Sequence, residues 1–122
     1  MPVSVPAMIL RRLYVKKSLK NTTRGAEFVL KNILADATIV KPVEIAVDDK
    51  SLPLDKIVLI SEGKEVKSSE ISESNPLDFS LNTSITIVLE GVQLERGQHK
   101  IVISTNTREY GAVKFDITDS IA

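Results

Sequence analysis

The chain of 122 residues contains no cysteine and no tryptophan, and His99 is its only histidine. Without cysteine it can form no disulfide, no thiolate nucleophile and no cysteine-ligated metal site. A zinc site with two histidine ligands is excluded, and any Ser-His-Asp triad would have to use His99. Glycines are isolated from one another, so there is no glycine-rich phosphate loop. The sequence predicts no catalytic residue, no cofactor and no metal site.

Long apolar runs are also missing. No segment approaches the roughly 18 residues that a membrane-spanning helix needs. The first ten residues lack the basic start and the full apolar stretch of a secretion signal. We therefore expect a cytoplasmic protein with no membrane partner.

Aromatic residues are scarce, at 4% of the chain, whereas 43% of the residues are hydrophobic and 26% are charged. Isoleucine, valine and leucine must therefore build the core of an otherwise ordinary globular composition. A chain of this length is typical of one domain. We expect a single domain over residues 1–122, with residues 1–8 as an extended N-terminal arm.

Apolar side chains alternate with polar ones through most of the chain, as in strands with one buried face. Residues 9–20 fit this pattern and predict a first strand, and a turn at residues 21–25 predicts a hairpin with the segment that contains Phe28. Residues 32–40 are ambiguous but favour extended structure, and residues 64–76 suggest a polar loop or a weak edge strand. About 7–9 short strands predict an all-β antiparallel β-sandwich, either immunoglobulin-like or jelly-roll-like.

His99 follows a turn at Arg96-Gly97 and shares its strand parity with Ile101 and Ile103. This position is similar to the tyrosine corner of immunoglobulin-like domains, where an aromatic side chain forms a hydrogen bond back to a loop. We therefore interpret His99 as a structural residue rather than a ligand or a base.

Charge is balanced overall but unevenly distributed. Residues 1–24 contain six of the sixteen basic residues and no acidic one, so the remainder has ten basic residues against sixteen acidic ones. Arg12, Tyr14 and Lys16 are candidate partner-binding residues on the predicted first strand, suited to an acidic protein surface or a second copy of the chain. Nucleic acid is the least favoured partner, because only Tyr14 could stack on a base there.

A second candidate site is the polar and aromatic cluster Arg108, Glu109 and Tyr110 in the last long loop, since loops on rigid sandwiches often carry recognition. An alternative function is a carbohydrate- or small-ligand-active protein that uses paired carboxylates, such as Glu27 and Glu109, in a cleft. The absence of tryptophan weighs against a sugar-binding platform.

Five segments carry a resemblance to known proteins, at residues 18–22, 25–28, 30–32, 34–39 and 47–48. They resemble a family of small, mostly archaeal all-β proteins of uncharacterised function, which are often labelled hydroxymethylglutaryl-CoA reductase. More distantly, roughly the first fifty residues resemble the small β-subunit of C-glycoside deglycosidases.

The two resemblances have different implications. Reductase chemistry requires a nicotinamide site, coenzyme A recognition and a converging acid, lysine and histidine, and none of those motifs is present. In the deglycosidases the larger subunit is understood to hold the metal and the base, while the small β-sandwich supports it. The resemblance implies an accessory subunit with no catalytic residue at any numbered position. We therefore expect a noncatalytic β-sandwich that acts by protein association, as a homo-oligomer or as the small partner of a larger enzyme subunit.

Overall fold

The computed structural model describes residues 5–122 and consists mainly of two antiparallel β-sheets. It begins with a short helix α1 (Ala7–Leu10) and a 3-10 turn (Arg11–Leu13), and two further 3-10 turns lie at Leu54–Lys56 and Ser68–Glu70. The strands are β1 (Lys20–Asn21), β2 (Gly25–Lys31), β3 (Ala37–Ile39), β4 (Glu44–Val47), β5 (Lys50–Ser51), β6 (Ile57–Ser61), β7 (Lys64–Lys67), β8 (Leu77–Phe79), β9 (Ser84–Glu90), β10 (Gly97–Thr107) and β11 (Gly111–Ile121).

The first sheet has the strand order β1-β2-β9-β6-β7. In the second sheet, β10 pairs with β11 along its whole length, from Gly97 opposite Ile121 to Thr107 opposite Gly111. The other edge of β10 pairs with β4 and with β3, and these two strands are flanked by β5 and β8. A break at residues 40–43 separates β3 from β4 and contains Pro42, which has no N–H to donate to a ladder.

Alternating side chains from both sheets form one hydrophobic core. Phe28 of β2, Ile87 of β9 and Ile101 of β10 are almost completely buried, and the residues beside them in sequence are more exposed in most of these strands. A period of two is what a strand with one buried face requires. The prediction of an all-β, sandwich-like antiparallel fold is therefore confirmed.

The strand count exceeds the predicted 7–9, because the described residues form eleven strands. The additional ones are short: β1 and β5 have two residues each, and β3 and β8 have three. Segments this short cannot show a periodicity in the sequence. The predicted edge strand in residues 64–76 corresponds to β7, while the choice between immunoglobulin-like and jelly-roll-like topology and the single-domain assignment stay predictions.

The predicted first strand over residues 9–20 is wrong. Its first part is helical, and only Lys20 belongs to a strand. Leu10 is buried and Leu13 packs against the core, which a helical turn permits because residues three apart share a face, whereas strand parity would separate them. Lys17, with a φ of 66°, then reverses the chain direction.

The predicted extended arm over residues 1–8 is not found where it can be tested. Ala7 and Met8 are helical, and Val5 packs against the core, while residues 1–4 lie outside the described part of the chain. Between residues 5 and 122, no helix has the length and apolar character needed to span a bilayer.

Candidate functional site

The N-terminal segment, defined here as residues 7–17, is fixed to β11 by polar contacts. Arg11 Nη2 lies 2.7 Å from Asp116 Oδ1, and Arg11 Nε donates to the Asp116 backbone oxygen at 2.9 Å. The Tyr14 hydroxyl donates to Asp119 Oδ2 at 2.6 Å, and the Lys17 backbone N–H donates to the same oxygen at 2.9 Å. This segment therefore has a defined position on the second sheet.

Tyr14 serves as an anchor of this segment. Burial, followed by the hydrogen bond to Asp119, raises the pKa of Tyr14 to about 12. Burial would raise the pKa of Asp119 too, but hydrogen bonds from Tyr14 and from backbone N–H groups outweigh it and hold that pKa below its usual value. At neutral pH the tyrosine is thus a neutral donor to a charged carboxylate. The centroids of the Tyr14 and Phe28 rings are 6.1 Å apart. Because the Tyr14 ring packs against Phe28, it is poorly placed to stack on a base.

Apolar side chains are exposed on the same segment. Met8 is 77% exposed, Ile9 40% and Val15 37%. Arg12 and Lys16 are exposed beside them in sequence, and neither forms an ion pair within residues 5–122. The predicted candidates Arg12 and Lys16 are therefore exposed and close in sequence to exposed apolar side chains, while Tyr14 is directed to Asp119.

Residues 1–24 contain six basic residues, and two of them form ion pairs within the fold. Arg11 pairs with Asp116, and Arg24 pairs with Glu65 at 2.5 Å and with Glu90 at 3.0 Å. All three pairs lie at the surface, where an ion pair contributes little to stability. The uneven charge distribution is therefore partly balanced within the molecule, and the other four basic residues, Arg12, Lys16, Lys17 and Lys20, form no ion pair among residues 5–122.

The second predicted cluster lies in the turn between β10 and β11. Thr38 of β3 donates its backbone N–H to Glu109 Oε1 at 2.7 Å and its hydroxyl to Oε2 at 2.8 Å. Burial would raise the pKa of Glu109, but these hydrogen bonds outweigh it and hold that pKa below its usual value. Arg108 is exposed, and its backbone N–H donates to Thr38. Glu27 lies in β2 of the other sheet, so the structure does not place the two glutamates together at the turn.

A cavity of about 270 Å³ lies between the two sheets. Tyr110 is the only one of the predicted site residues that lines it. No Asp, Glu, Lys, Arg or His belongs to its lining, which is aliphatic and aromatic in the main. Representative lining residues are Val43, Leu59, Phe79, Ile87, Ile103 and Phe115.

Asn32 is the one buried amide in this lining, and its hydrogen bonds are all made within the chain. Its Nδ2 donates to the backbone oxygens of Ala35 at 2.6 Å and Phe79 at 2.7 Å. Its Oδ1 accepts from the N–H groups of Leu34 at 3.0 Å and Ala35 at 3.3 Å. Asn32 is not among the predicted site residues, and its only signal in the sequence is an asparagine directly after an alternating strand, a position that favours an Asx turn.

The two threonines of the lining are likewise satisfied. Thr105 donates its hydroxyl to the Lys41 backbone oxygen at 2.8 Å. Thr107 donates to the Gly111 oxygen at 3.2 Å and accepts from the Tyr110 N–H at 3.0 Å. Water in a cavity needs two to four polar partners, and these walls have little to offer it.

A second cleft of about 280 Å³ includes Glu44 and Lys114 and lies outside the core. Its lining holds one carboxylate, so neither cleft found in residues 5–122 has the carboxylate pair that the alternative function requires. The described residues also contain no group of three or more His, Cys, Asp or Glu side chains that could hold a metal ion.

His99 lies away from both clefts. Its Nδ1 is 2.6 Å from Asp48 Oδ2, and its Nε2 is 2.7 Å from the backbone oxygen of Glu95. Both ring nitrogens are therefore occupied by partners within the chain, and the structural role of this residue stays a prediction.

Comparison with protein families gives one match, to the family described as hydroxymethylglutaryl-CoA reductase, N-terminal domain, over residues 9–122. The chain belongs to this family. No curated protein matches it. The family's match covers every strand described above, whereas the likeness to the deglycosidase small subunit stays a resemblance.

Proposed function

We propose that this chain is a noncatalytic, cytoplasmic association subunit that binds through its N-terminal segment. A second copy of the chain is the favoured partner, and a larger enzyme subunit is the alternative. The observation that carries the proposal is the exposure of Met8, Ile9 and Val15 within eight residues of one anchored segment. Large exposed apolar side chains in such proximity are typical of interaction surfaces.

Charge supports a second copy as the partner. The apolar side chains are flanked by Arg12 and Lys16, while residues 25–122 contain more acidic than basic residues. An acidic surface of another copy would complement this basic rim and increase the association rate. Such a contact places Arg12 and Lys16 against the partner and leaves Tyr14 as the internal anchor.

The family description supports the accessory role, because it names one domain of a reductase and not the whole enzyme. A nicotinamide dinucleotide does not fit the residues present, because its diphosphate needs cationic or N–H donors, and the cavity lining has neither Lys nor Arg and keeps its amide and threonine hydroxyls bonded internally. We therefore assign no hydride-transfer step to this chain.

Sedimentation of the purified chain tests the proposal. We expect its weight-average mass to rise from one copy towards two or more as the concentration increases. Because the basic rim contributes, association should be weaker at about 0.5 M salt than at about 0.05 M. A monomer at every concentration, with no salt dependence, would overturn the second-copy proposal. Identification of one co-purifying enzyme subunit from the native source would then support the alternative.

A further inference from the structure

We propose that the cavity between the sheets is a binding site for a small, neutral hydrocarbon ligand that places its one polar group at Tyr110. This inference concerns the cavity, which shares Ile9 with the exposed apolar side chains of the N-terminal segment. It assigns a ligand class that the family description does not contain.

The cavity volume sets the size of the ligand. An engineered cavity of about 150 Å³ accepts benzene, and sites for drug-sized ligands occupy about 300–1,000 Å³. A volume of about 270 Å³ lies between these limits. The ligand is therefore larger than benzene and smaller than a typical drug or a dinucleotide.

The lining sets its chemistry. It has no charged residue, and the hydrogen-bonding groups of Asn32, Thr105 and Thr107 are already used within the chain. A charged or multiply polar ligand would lose its hydration without compensation. A hydrocarbon has no polar groups whose hydration would be lost, and it gains contact with Phe79, Phe115 and the aliphatic walls.

Tyr110 provides the single polar contact. Its backbone N–H donates to the Thr107 hydroxyl, and no hydrogen bond joins its own hydroxyl to another of residues 5–122, among which every unpartnered side-chain polar atom is open to solvent. The residue is only partly buried, so it lies where the cavity approaches solvent. One hydroxyl or carbonyl group on the ligand can therefore bond there while the rest enters the core.

The N-terminal helix provides a route of entry. Ile9 lines the cavity and is also 40% exposed. It belongs to α1, which has four residues and no side-chain hydrogen bond at its N-cap. Such an element opens at a lower free energy than the central strands do. Local displacement of α1 would admit a ligand without disturbing the sheet ladders.

Toluene and 1-hexanol are suitable probes, with binding followed by ligand-observed NMR and by the change in melting temperature. Ala37→Leu adds volume inside the cavity, whereas Ala46→Leu adds the same volume in the second cleft. Both alanines are partly buried residues in strands of one sheet. We expect both probes to bind the unmodified chain and Ala46→Leu, and to bind Ala37→Leu at least about tenfold more weakly.

Tyr110→Phe tests the polar contact separately. Loss of one neutral hydrogen bond should weaken 1-hexanol about three- to tenfold and leave toluene unchanged. Equal effects on the two probes would contradict the placement of the polar group. If Ala37→Leu does not fold, Ala35→Leu, at a partly exposed position of the lining, replaces it.

The proposal is overturned if neither probe binds the unmodified chain, or if the two alanine variants bind equally well. Competition between toluene and self-association would also overturn it, and would assign the cavity to a side chain of a second copy. Because the association test does not depend on probe binding, failure of either proposal can be recognised without the other.

Discussion

His99 Nδ1 lies 2.6 Å from Asp48 Oδ2, and the opposite nitrogen of the ring faces the Glu95 carbonyl oxygen at 2.7 Å. Both partners are acceptors, so both ring nitrogens must donate, and only the imidazolium form can do so. The Glu95 carbonyl, followed by the Asp48 carboxylate, therefore raises the pKa of His99 above its usual value. The hydrogen bond from His99, together with one from the Lys100 N–H, lowers the pKa of Asp48.

This relationship predicts a pH-dependent stability. Since the folded-state pKa of His99 is raised, its stabilising effect is complete below the unfolded-state pKa of about 6.5 and is lost as pH rises through the folded value. The urea midpoint of the unmodified chain should fall as the pH rises from the unfolded-state pKa of His99 to its folded-state pKa. The midpoint of His99→Gln should not fall over the same pH range. Asp48 acts in a different pH range. Because its pKa is lowered in the folded state, its stabilising effect is lost only as the pH falls into the acid range.

NMR titration provides a direct check, because His99 is the only histidine and its ring proton signal is unique. A midpoint above about 6.5 is expected. A midpoint at or below that value, or an unchanged pH slope in His99→Gln, would show that the ring is not held as an imidazolium.

Asn32→Ala should destabilise the fold by about 2–4 kcal/mol, because it removes two donors and two acceptor contacts beside the cavity. Asn75→Ala is the matched control: Asn75 is exposed and donates its amide to the Glu70 oxygen at 2.9 Å. We expect the control to cost less than about 1 kcal/mol in urea unfolding. Equal costs for the two variants would mean that Asn32 does not organise the cavity wall.

Gly25→Ala should be more damaging than Gly91→Ala. Gly25 has a φ of 154°, and a Cβ there would collide with the Leu89 backbone oxygen of β9. We expect a loss of about 2–4 kcal/mol from strain and overpacking. At Gly91, with a φ of 76° and open space around it, we expect about 1–2 kcal/mol from the left-handed backbone alone. Similar unfolding free energies for both variants would rule out the steric effect of Leu89.

The sequence predicted best those strands that have one buried face. Ala26, Phe28 and Leu30 are all buried in β2, as their alternation indicated. The prediction failed in residues 9–20, where Leu10 and Leu13 follow a helical turn that is too short to give its own periodicity. A segment of this length takes its conformation from the core on which it packs.

The candidate site was less accessible to sequence reasoning. Tyr110 was selected as part of an exposed loop cluster, and its place in the cavity lining depends on the turn that Thr38 and Glu109 fix. The cavity itself leaves no trace in the sequence, because Val43 and Ile103 would be equally suitable in a filled core. A void arises from the summed volumes of facing side chains, which only the three-dimensional arrangement determines.

The central claim, association through the N-terminal segment, is tested most directly by sedimentation of two double variants. Met8→Ser with Val15→Ser removes apolar side chains that are 77% and 37% exposed from the segment, and Ile33→Ser with Leu81→Ser removes two that are each 44% exposed elsewhere. At a concentration where the unmodified chain associates, the first variant should sediment as a monomer and the second should behave like the unmodified chain. Unchanged association in the first variant, or an equal loss in both, would contradict the account.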